Sequence, residues 1–324
     1  MFACMEYMDD AYISLPTQTR SDQMEEQWKK KIPFLRYSKE VVSLDKGFSY
    51  DKKFIIDNQY LLRVFSNKQI QRRKEEFVTV NKLGAYSDAI PKGIEFDVIE
   101  GTDMAYMILT YLPGKDAEIA LKELTNEEQY RIGILAGKEL KKLHRFSAPT
   151  DYPAWNTIKK QKSDRYLMEL QQIDVDKRIK EMLETYIWEN EMLLKGRPNT
   201  FQHDDFHPAN ILIHNRTFSG IIDFGRMDWG DPVHDLQKLG FFSKRISIPF
   251  TNGVIAGYHN EQPVAESFWK LYTLYSAMHV ASSLVWGLKR SQAQYEIMLN
   301  YSLDVIRDHE DFTRVIPKWY KDGS

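Results

Sequence analysis

The sequence predicts an α+β fold in two lobes, a small one built on an antiparallel sheet and a larger one that is mostly helical. Three observations carry this. Up to about Thr110 short β-prone runs dominate, interrupted by one helical stretch. Tyr111 to Gly114 reads Tyr-Leu-Pro-Gly, whose Pro-Gly marks a break. Beyond it long amphipathic stretches take over, interrupted by a short β-rich block from His203 to Asp235. The lobes are expected at residues 1–111 and 112–324, and a chain of 324 residues is long enough for two proper cores.

The first lobe divides into runs of strand composition. Val41 to Leu44, Lys53 to Ile56 and Tyr60 to Phe65 are rich in β-branched and aromatic residues, and Asp57-Asn58 between the last two is a hairpin signal. From Lys68 to Leu83 the apolar positions Ile70, Phe77, Val80 and Leu83 recur at helical spacing. Ile94 to Ile99 and Met104 to Thr110 supply two further strands. In the second lobe Thr125 and Glu128 form a T-x-x-E capping box that opens a helix to about Arg145. Amphipathic stretches follow at Asp164 to Lys195 and Pro263 to Asp308.

Composition excludes several classes of function. The net charge of -2 offers no basic surface for nucleic acid. No apolar run approaches the ~20 residues of a membrane span. Cys4 is the sole cysteine, so no intramolecular disulfide forms and a reducing compartment suits the chain. The opening MFACMEYMDDAYISL lacks the basic start of a signal peptide, so a cytoplasmic protein without membrane or nucleic-acid partners is expected.

The chemistry concentrates in HDDFHPANILIHNRTFSGIIDFGRMDWGDPVHD, residues 203–235. Asp205 is followed five positions later by Asn210, then by an apolar run, then by Asp223-Phe224-Gly225. Phosphoryl transfer from a nucleotide needs this set of groups: a carboxylate to take the proton of the attacking hydroxyl, and an amide oxygen and second carboxylate to hold magnesium. Ile211 to Ile213 and Gly220 to Ile222 read as a hairpin that would carry Asn210 and Asp223 to one end. Two other readings compete. The histidines and aspartates could only satisfy buried backbone groups, or His203, Asp205 and His207 could ligate zinc or iron. Neither accounts for the hairpin and the second carboxylate.

The spacing matches the H-R-D-x-x-x-x-N and D-F-G elements of protein kinases, with Asp204 at the arginine position. More broadly the chain resembles the aminoglycoside phosphotransferase family, whose kinase-like fold also contains choline and methylthioribose kinases. GFSYDKK at Gly47 to Lys53 and YLLRVF at Tyr60 to Phe65 resemble the family's nucleotide-loop hairpin and phosphate-contacting strand. Tyr111 to Asp116 resembles the hinge, and LKKLH ending at His144 a helix common in these enzymes. The resemblance implies a protein-kinase-like fold and a phosphate donor, ATP or GTP, with Mg²⁺. It implies Asp205 as base, Asn210 and Asp223 as metal ligands, and Gly47, Ser49, Arg63, Glu76 and Tyr111 as nucleotide-binding residues. No A-P-E tripeptide follows D-F-G, which favours a small-molecule kinase.

Three positions depart from the family pattern. H-D-D replaces H-G-D, so Asp204 adds a charge beside the base, and like charges raise the pKa of one member. Arg63 stands where lysine is usual; its fork suits phosphate oxygens, and Glu76 or Glu75 could position it, while Lys52 and Lys53 compete for its role. The loop holds only Gly47, leaving phosphate contacts to backbone amides near Ser49. Six carboxylates (Asp204, Asp205, Asp223, Asp228, Asp231, Asp235) face only Arg216 and Arg226 within the block. The acceptor expected from this is a small cationic molecule such as an aminoglycoside, touched by Asp204 and Asp228. A metabolic acceptor (choline, sugar or amino-alcohol) and a non-catalytic nucleotide-binding module are the alternatives. Asp231 and Asp235 read as structural, and the Tyr272, Tyr275, His279, Trp286 stripe as core.

Overall fold

The computed structural model describes residues 30–44 and 51–321. The chain divides into two compact units, Met1–Gln71 with Ile94–Leu109, and Arg72–Gly93 with Thr110–Ser324. This differs from a single cut after residue 111, and the reason is where the helix Ile70–Leu83 buries its apolar face. Val80 and Leu83, with Ile90 beyond them, belong to the core of the larger unit.

In the smaller unit five strands, β1 (Val41–Ser43), β2 (Lys52–Ile56), β3 (Tyr60–Ser66), β4 (Gly93–Val98) and β5 (Met104–Thr110), form a sheet of order β1-β2-β3-β5-β4. The β2–β3 hairpin turns on Asp57 and Asn58, both left-handed at φ 51° and 53°. Asp and Asn tolerate that region and carry two-residue hairpin turns of this kind. The Asp57 carboxylate also accepts the amides of Lys39 and Glu40, each at 2.8 Å. Alternate residues of the strands, Phe54 and Ile56, Leu62 and Val64, Tyr106 and Ile108, join Ile32 and Ile99 in one core.

The larger unit is mostly helical. The capping box is formed, with the Thr125 hydroxyl accepting from Glu128 and the Glu128 carboxylate from Thr125, and it opens the helix Asn126–Leu143. Gly133 and Gly137 on this helix, with Gly253 and Gly257 on the helix Ile248–Tyr258, let the two backbones touch. A Cβ at Gly137 would lie 2.2 Å from the Val254 carbonyl oxygen. The amphipathic stretch expected from Asp164 to Lys195 is two helices, Trp155–Gln171 and Lys177–Asn190. Asp176 breaks it by accepting the Arg178 amide at 2.8 Å, an N-cap that outcompetes continuation of the helix. Ser291 does the same between Glu266–Arg290 and Gln292–Asp308, accepting from Gln294 at 3.1 Å. Tyr272 and Tyr275 are fully buried, so the aromatic stripe is core at those positions. Among the described residues no helix is long and apolar enough to cross a membrane.

Three small pairings support the acidic block. β6 (Lys115–Asp116), β8 (Ile211–His214) and β9 (Thr217–Ile221) make one antiparallel sheet, and β7 (Thr200–Gln202) pairs with β10 (Asp228–Gly230). The hairpin expected from the apolar runs is therefore β8–β9.

Candidate active site

Pairing of β7 with β10 sets Asp228 opposite Gln202, the residue before His203. The loop that follows is anchored from below by Asp235, which is fully buried. Its carboxylate accepts the His203 amide at 2.6 Å and the Asp204 amide at 2.7 Å, and lies 3.0 Å from Nε2 of His144. Asp204 adopts φ 54°, which aspartate tolerates better than most residues. The Phe224 ring packs 5.0 Å from the His203 ring, pinning the Asp223-Phe224-Gly225 segment to the same loop.

Asn210 ends the turn Pro208–Asn210. Its side-chain amide donates to the main-chain oxygen of Asp205 at 2.9 Å and to the Asp205 carboxylate at 3.2 Å. Ile222 donates to the Asn210 main-chain oxygen at 3.0 Å, and Asp223 comes next, exposed and left-handed at φ 64°. The hairpin thus delivers Asn210 and Asp223 to one end, with Asp205 fastened to Asn210. With its NH₂ turned to Asp205, Asn210 keeps an amide oxygen for a cation. That oxygen and the Asp223 carboxylate are hard donors that fit Mg²⁺.

Burial opposes the charge on Asp205, but Lys238, His207 and Arg226 outweigh it and hold the carboxyl well below the usual carboxylate range. Their nitrogens lie 3.5, 3.5 and 3.8 Å from it. Asp205 is therefore held as a carboxylate at neutral pH. Asp204 behaves oppositely: burial, more than its acidic neighbours, pushes its carboxyl up, against Lys162 and Lys238.

The alternative zinc or iron set fails on geometry. His203 is fully buried, its Nε2 is 3.0 Å from the Ile222 carbonyl and its Nδ1 accepts the Asp205 amide, so both ring nitrogens are occupied. Ligand atoms of Asp204, His234 and Asp235 do converge within 4.8 Å. There the Asp235 oxygens already hold two amides, and Nε2 of His234 lies 2.6 Å from the Lys159 amine.

The other expected residues fall as follows. In the smaller unit Arg63 lies on β3 opposite Lys53 and is held by Asp51, with Nη2 at 2.7 Å and Nε at 3.2 Å from one carboxylate oxygen. Asp51 gave no signal in the sequence. Glu76 is buried and accepts from Arg73 at 2.9 Å, whereas Glu75 is exposed. A Cβ on Gly225 would lie 3.0 Å from the Arg73 guanidinium and 3.7 Å from the Glu76 carboxylate, and Arg72 donates to the Gly225 carbonyl at 2.5 Å. These arginines tie the helix bearing Glu76 to the Asp223 segment. Tyr111 follows β5 and is half-buried. Gly47 and Ser49 lie outside the described residues.

The expected acidic wall needs correction. Asp231 is fully buried and binds Arg197 at 2.5 and 2.9 Å, the Tyr275 hydroxyl at 2.7 Å and the Val233 amide at 3.0 Å. It is structural, as is Asp235. Arg216 is paired with Glu128 instead. Three lysines from outside the motif, Lys159, Lys162 and Lys238, act electrostatically on Asp204 and its neighbours. Sequence reasoning missed them because their spacing, KKQK on one helix and a single lysine after His234, reads as ordinary helix surface.

A five-stranded sheet with one following helix, a helical unit and a hairpin that presents an aspartate, an asparagine and Asp-Phe-Gly together define a kinase-like phosphotransferase. Residues 40–269 match the model of the APH group, the phosphotransferase enzyme family, and the chain belongs to that family. The fold is shared with solved aminoglycoside phosphotransferases. The ADP-bound APH(2'')-Ib is 20% identical, with TM-score 0.62 over 88% of this chain and 96% of that one. A gentamicin complex of APH(2'')-IIa is 20% identical, with TM-score 0.63 over 91% and 97%. The GDP complex of wild-type aminoglycoside 2'-phosphotransferase-IIIa is 16% identical, with TM-score 0.63 over 90% and 99%. No curated protein sequence matches the chain.

Proposed function

We propose that this phosphotransferase moves the γ-phosphate of ATP or GTP onto a hydroxyl of a small molecule, with Asp205 as base. The observation that carries the proposal is the fastening of Asp205 to Asn210 at 2.9 and 3.2 Å beside Asp223. In the step the acceptor O–H gives its proton to the Asp205 carboxylate while its oxygen bonds to phosphorus. The bond to the β-phosphate oxygen breaks, and a nucleoside diphosphate leaves. Asn210 fixes the carboxylate rotamer, and Asp235 fixes the loop beneath it. Mg²⁺ held by Asn210 and Asp223 would neutralise charge on the phosphates. On the nucleotide side we assign Arg63, oriented by Asp51, to the phosphates, with Glu76 and Tyr111 as further nucleotide-binding positions.

The cationic, antibiotic-type acceptor draws support from the family and from solved relatives such as the gentamicin complex. The charges around Asp205 favour the second reading, a metabolic hydroxylated acceptor, because Lys159, Lys162 and Lys238 offset Asp204 and Asp228. The test is nucleotide turnover measured with aminoglycosides, macrolides, choline, sugars and hydroxy acids. Acceptor-dependent release of diphosphate is expected with one class. Its absence with every class, for an intact protein that binds nucleotide, would favour a non-catalytic module.

A further inference from the structure

We infer that the acceptor carries an anionic group, a carboxylate or a phosphate, seated against Lys159, Lys162 and Lys238 beside Asp205. The inference rests on the phosphotransferase reading above and names the acceptor's charge. Lys159 and Lys162 lie three residues apart on the helix Trp155–Gln171, so their side chains share a face. Lys238 follows the short helix Val233–Leu236 and reaches to 3.5 Å from the Asp205 carboxylate. A group docked against Lys238 is next to Asp205.

A buried ammonium is costly unless an anion compensates it. Lys159 is only 7% exposed, yet its amine meets a histidine instead of a carboxylate, lying 2.6 Å from Nε2 of His234. Its other neighbours are the rings of Trp155 and Tyr275, 5.6 and 5.9 Å away. Lys238 is equally buried. Lys162 makes no hydrogen bond or ion pair among the described residues.

Lys238 meets Asp205 at 3.5 Å, and Asp204 and Asp228 favour the charge on Lys162, but no carboxylate pairs directly with Lys159 or Lys162 among the described residues. One oxygen of Asp228 is taken by the Tyr152 hydroxyl at 2.7 Å and the Trp229 amide at 2.8 Å. Asp204 is pushed toward its neutral form by burial. His234, 6% exposed, is kept neutral by burial and by the lysines around it, and its Nδ1 has no hydrogen-bond partner. The set is a cluster of amines that reaches Asp205 through Lys238, with an unused buried donor or acceptor on His234 lying 3.5 Å from Asp204. A polycation would have to place its amines against Lys162 and Lys238, whereas a carboxylate or phosphate would be paired by them.

The test uses four matched probes with the full chain: kanamycin (cationic), glucose (neutral), gluconate (carboxylate) and glucose 6-phosphate (phosphate). Turnover is expected with gluconate or glucose 6-phosphate at a kcat/KM at least tenfold above the other two, and which of them leads separates the two anions. Lys162→Ala should raise KM for that probe about tenfold with the nucleotide KM within twofold. Lys162→Arg should restore it. Kanamycin or glucose as the best probe, unaffected by Lys162→Ala, overturns the inference. Binding of gluconate and of glucose 6-phosphate by calorimetry, with ADP saturating, is independent of turnover. Binding that Lys162→Ala weakens supports the anion site even if no probe is phosphorylated, in which case the phosphotransferase reading is what fails. Absence of binding, or binding equal in both proteins, overturns the anion site.

Discussion

Asp235 accepts the backbone amide of Asp204 at 2.7 Å, so a fully buried carboxylate fixes the residue immediately before Asp205. The same carboxylate holds His203 at 2.6 Å and meets His144 at the end of the helix Asn126–Leu143. Removing an acceptor of buried charged hydrogen bonds leaves donors unsatisfied and costs about 3 kcal/mol or more. Asp235→Ala should therefore lose that much stability in chemical denaturation and lower kcat as well. Asp235→Asn, which keeps one acceptor oxygen, should lose less. A variant as stable as wild type would show that solvent or another group can replace Asp235.

Asp205→Ala should abolish turnover while leaving nucleotide binding nearly unchanged. A positioned general base contributes roughly 10²–10⁴-fold, and the low pKa of Asp205 keeps it ionised. The check is steady-state kinetics beside calorimetry with ADP. Near-normal kcat would remove Asp205 from its role.

Asp223→Asn should weaken binding of Mg-nucleotide more than binding of the nucleoside. A hard cation loses a charged oxygen ligand, while the base and sugar keep their contacts. Calorimetry with adenosine and with Mg-ADP, and the guanine pair, separates these. Equal losses would mean that Asp223 shapes its loop and does not hold metal.

Much of this was readable in the chain because it depends on short-range chemistry. The capping box at Thr125, the Asp57-Asn58 turn and the β8–β9 hairpin each have a local cause. The structural character of Asp231 and Asp235 was legible too, from their place around a Gly-Asp-Pro turn. The helix breaks at Asp176 and Ser291 were not, since one capping residue inside a long amphipathic run resembles a solvent-facing position. The partners of the site residues were hidden for a different reason. Asp51 meets Arg63 across a turn, and Lys159 comes to His234 from 75 positions away. Counting charges within the motif therefore gave an acidic wall, where folding brings in lysines from elsewhere.

Arg63→Ala should cut kcat/KM sharply, and Arg63→Lys should keep measurable activity because a single amine can still meet phosphate. Asp51→Asn should act in the same direction but more weakly, since it loosens the guanidinium without removing it. If Lys52→Ala or Lys53→Ala proves more damaging, the phosphate contact belongs to β2 instead.

Lys159 gives the pH dependence a sign. Burial, chiefly, brings its amine down from the ordinary lysine range to about 7, against the pull of Asp204 and Asp228. Lys162 and Lys238, neutral His234 and His279, and the Tyr275 ring also bear on Lys159. Between about pH 7 and the ordinary lysine value the unfolded chain keeps the Lys159 proton that the folded chain has lost. The unfolded state thus binds more protons there, and this group's contribution to stability rises with pH across that window. The slope is at most about 1.4 kcal/mol per pH unit. Lys159→Met, which fills the same space without a charge, should abolish this part of the slope and should stabilise the protein most at low pH. Denaturation midpoints from pH 6 to 9 for both proteins decide it. Parallel curves would mean that Lys159 keeps its charge when folded, paired more strongly than its visible contacts provide.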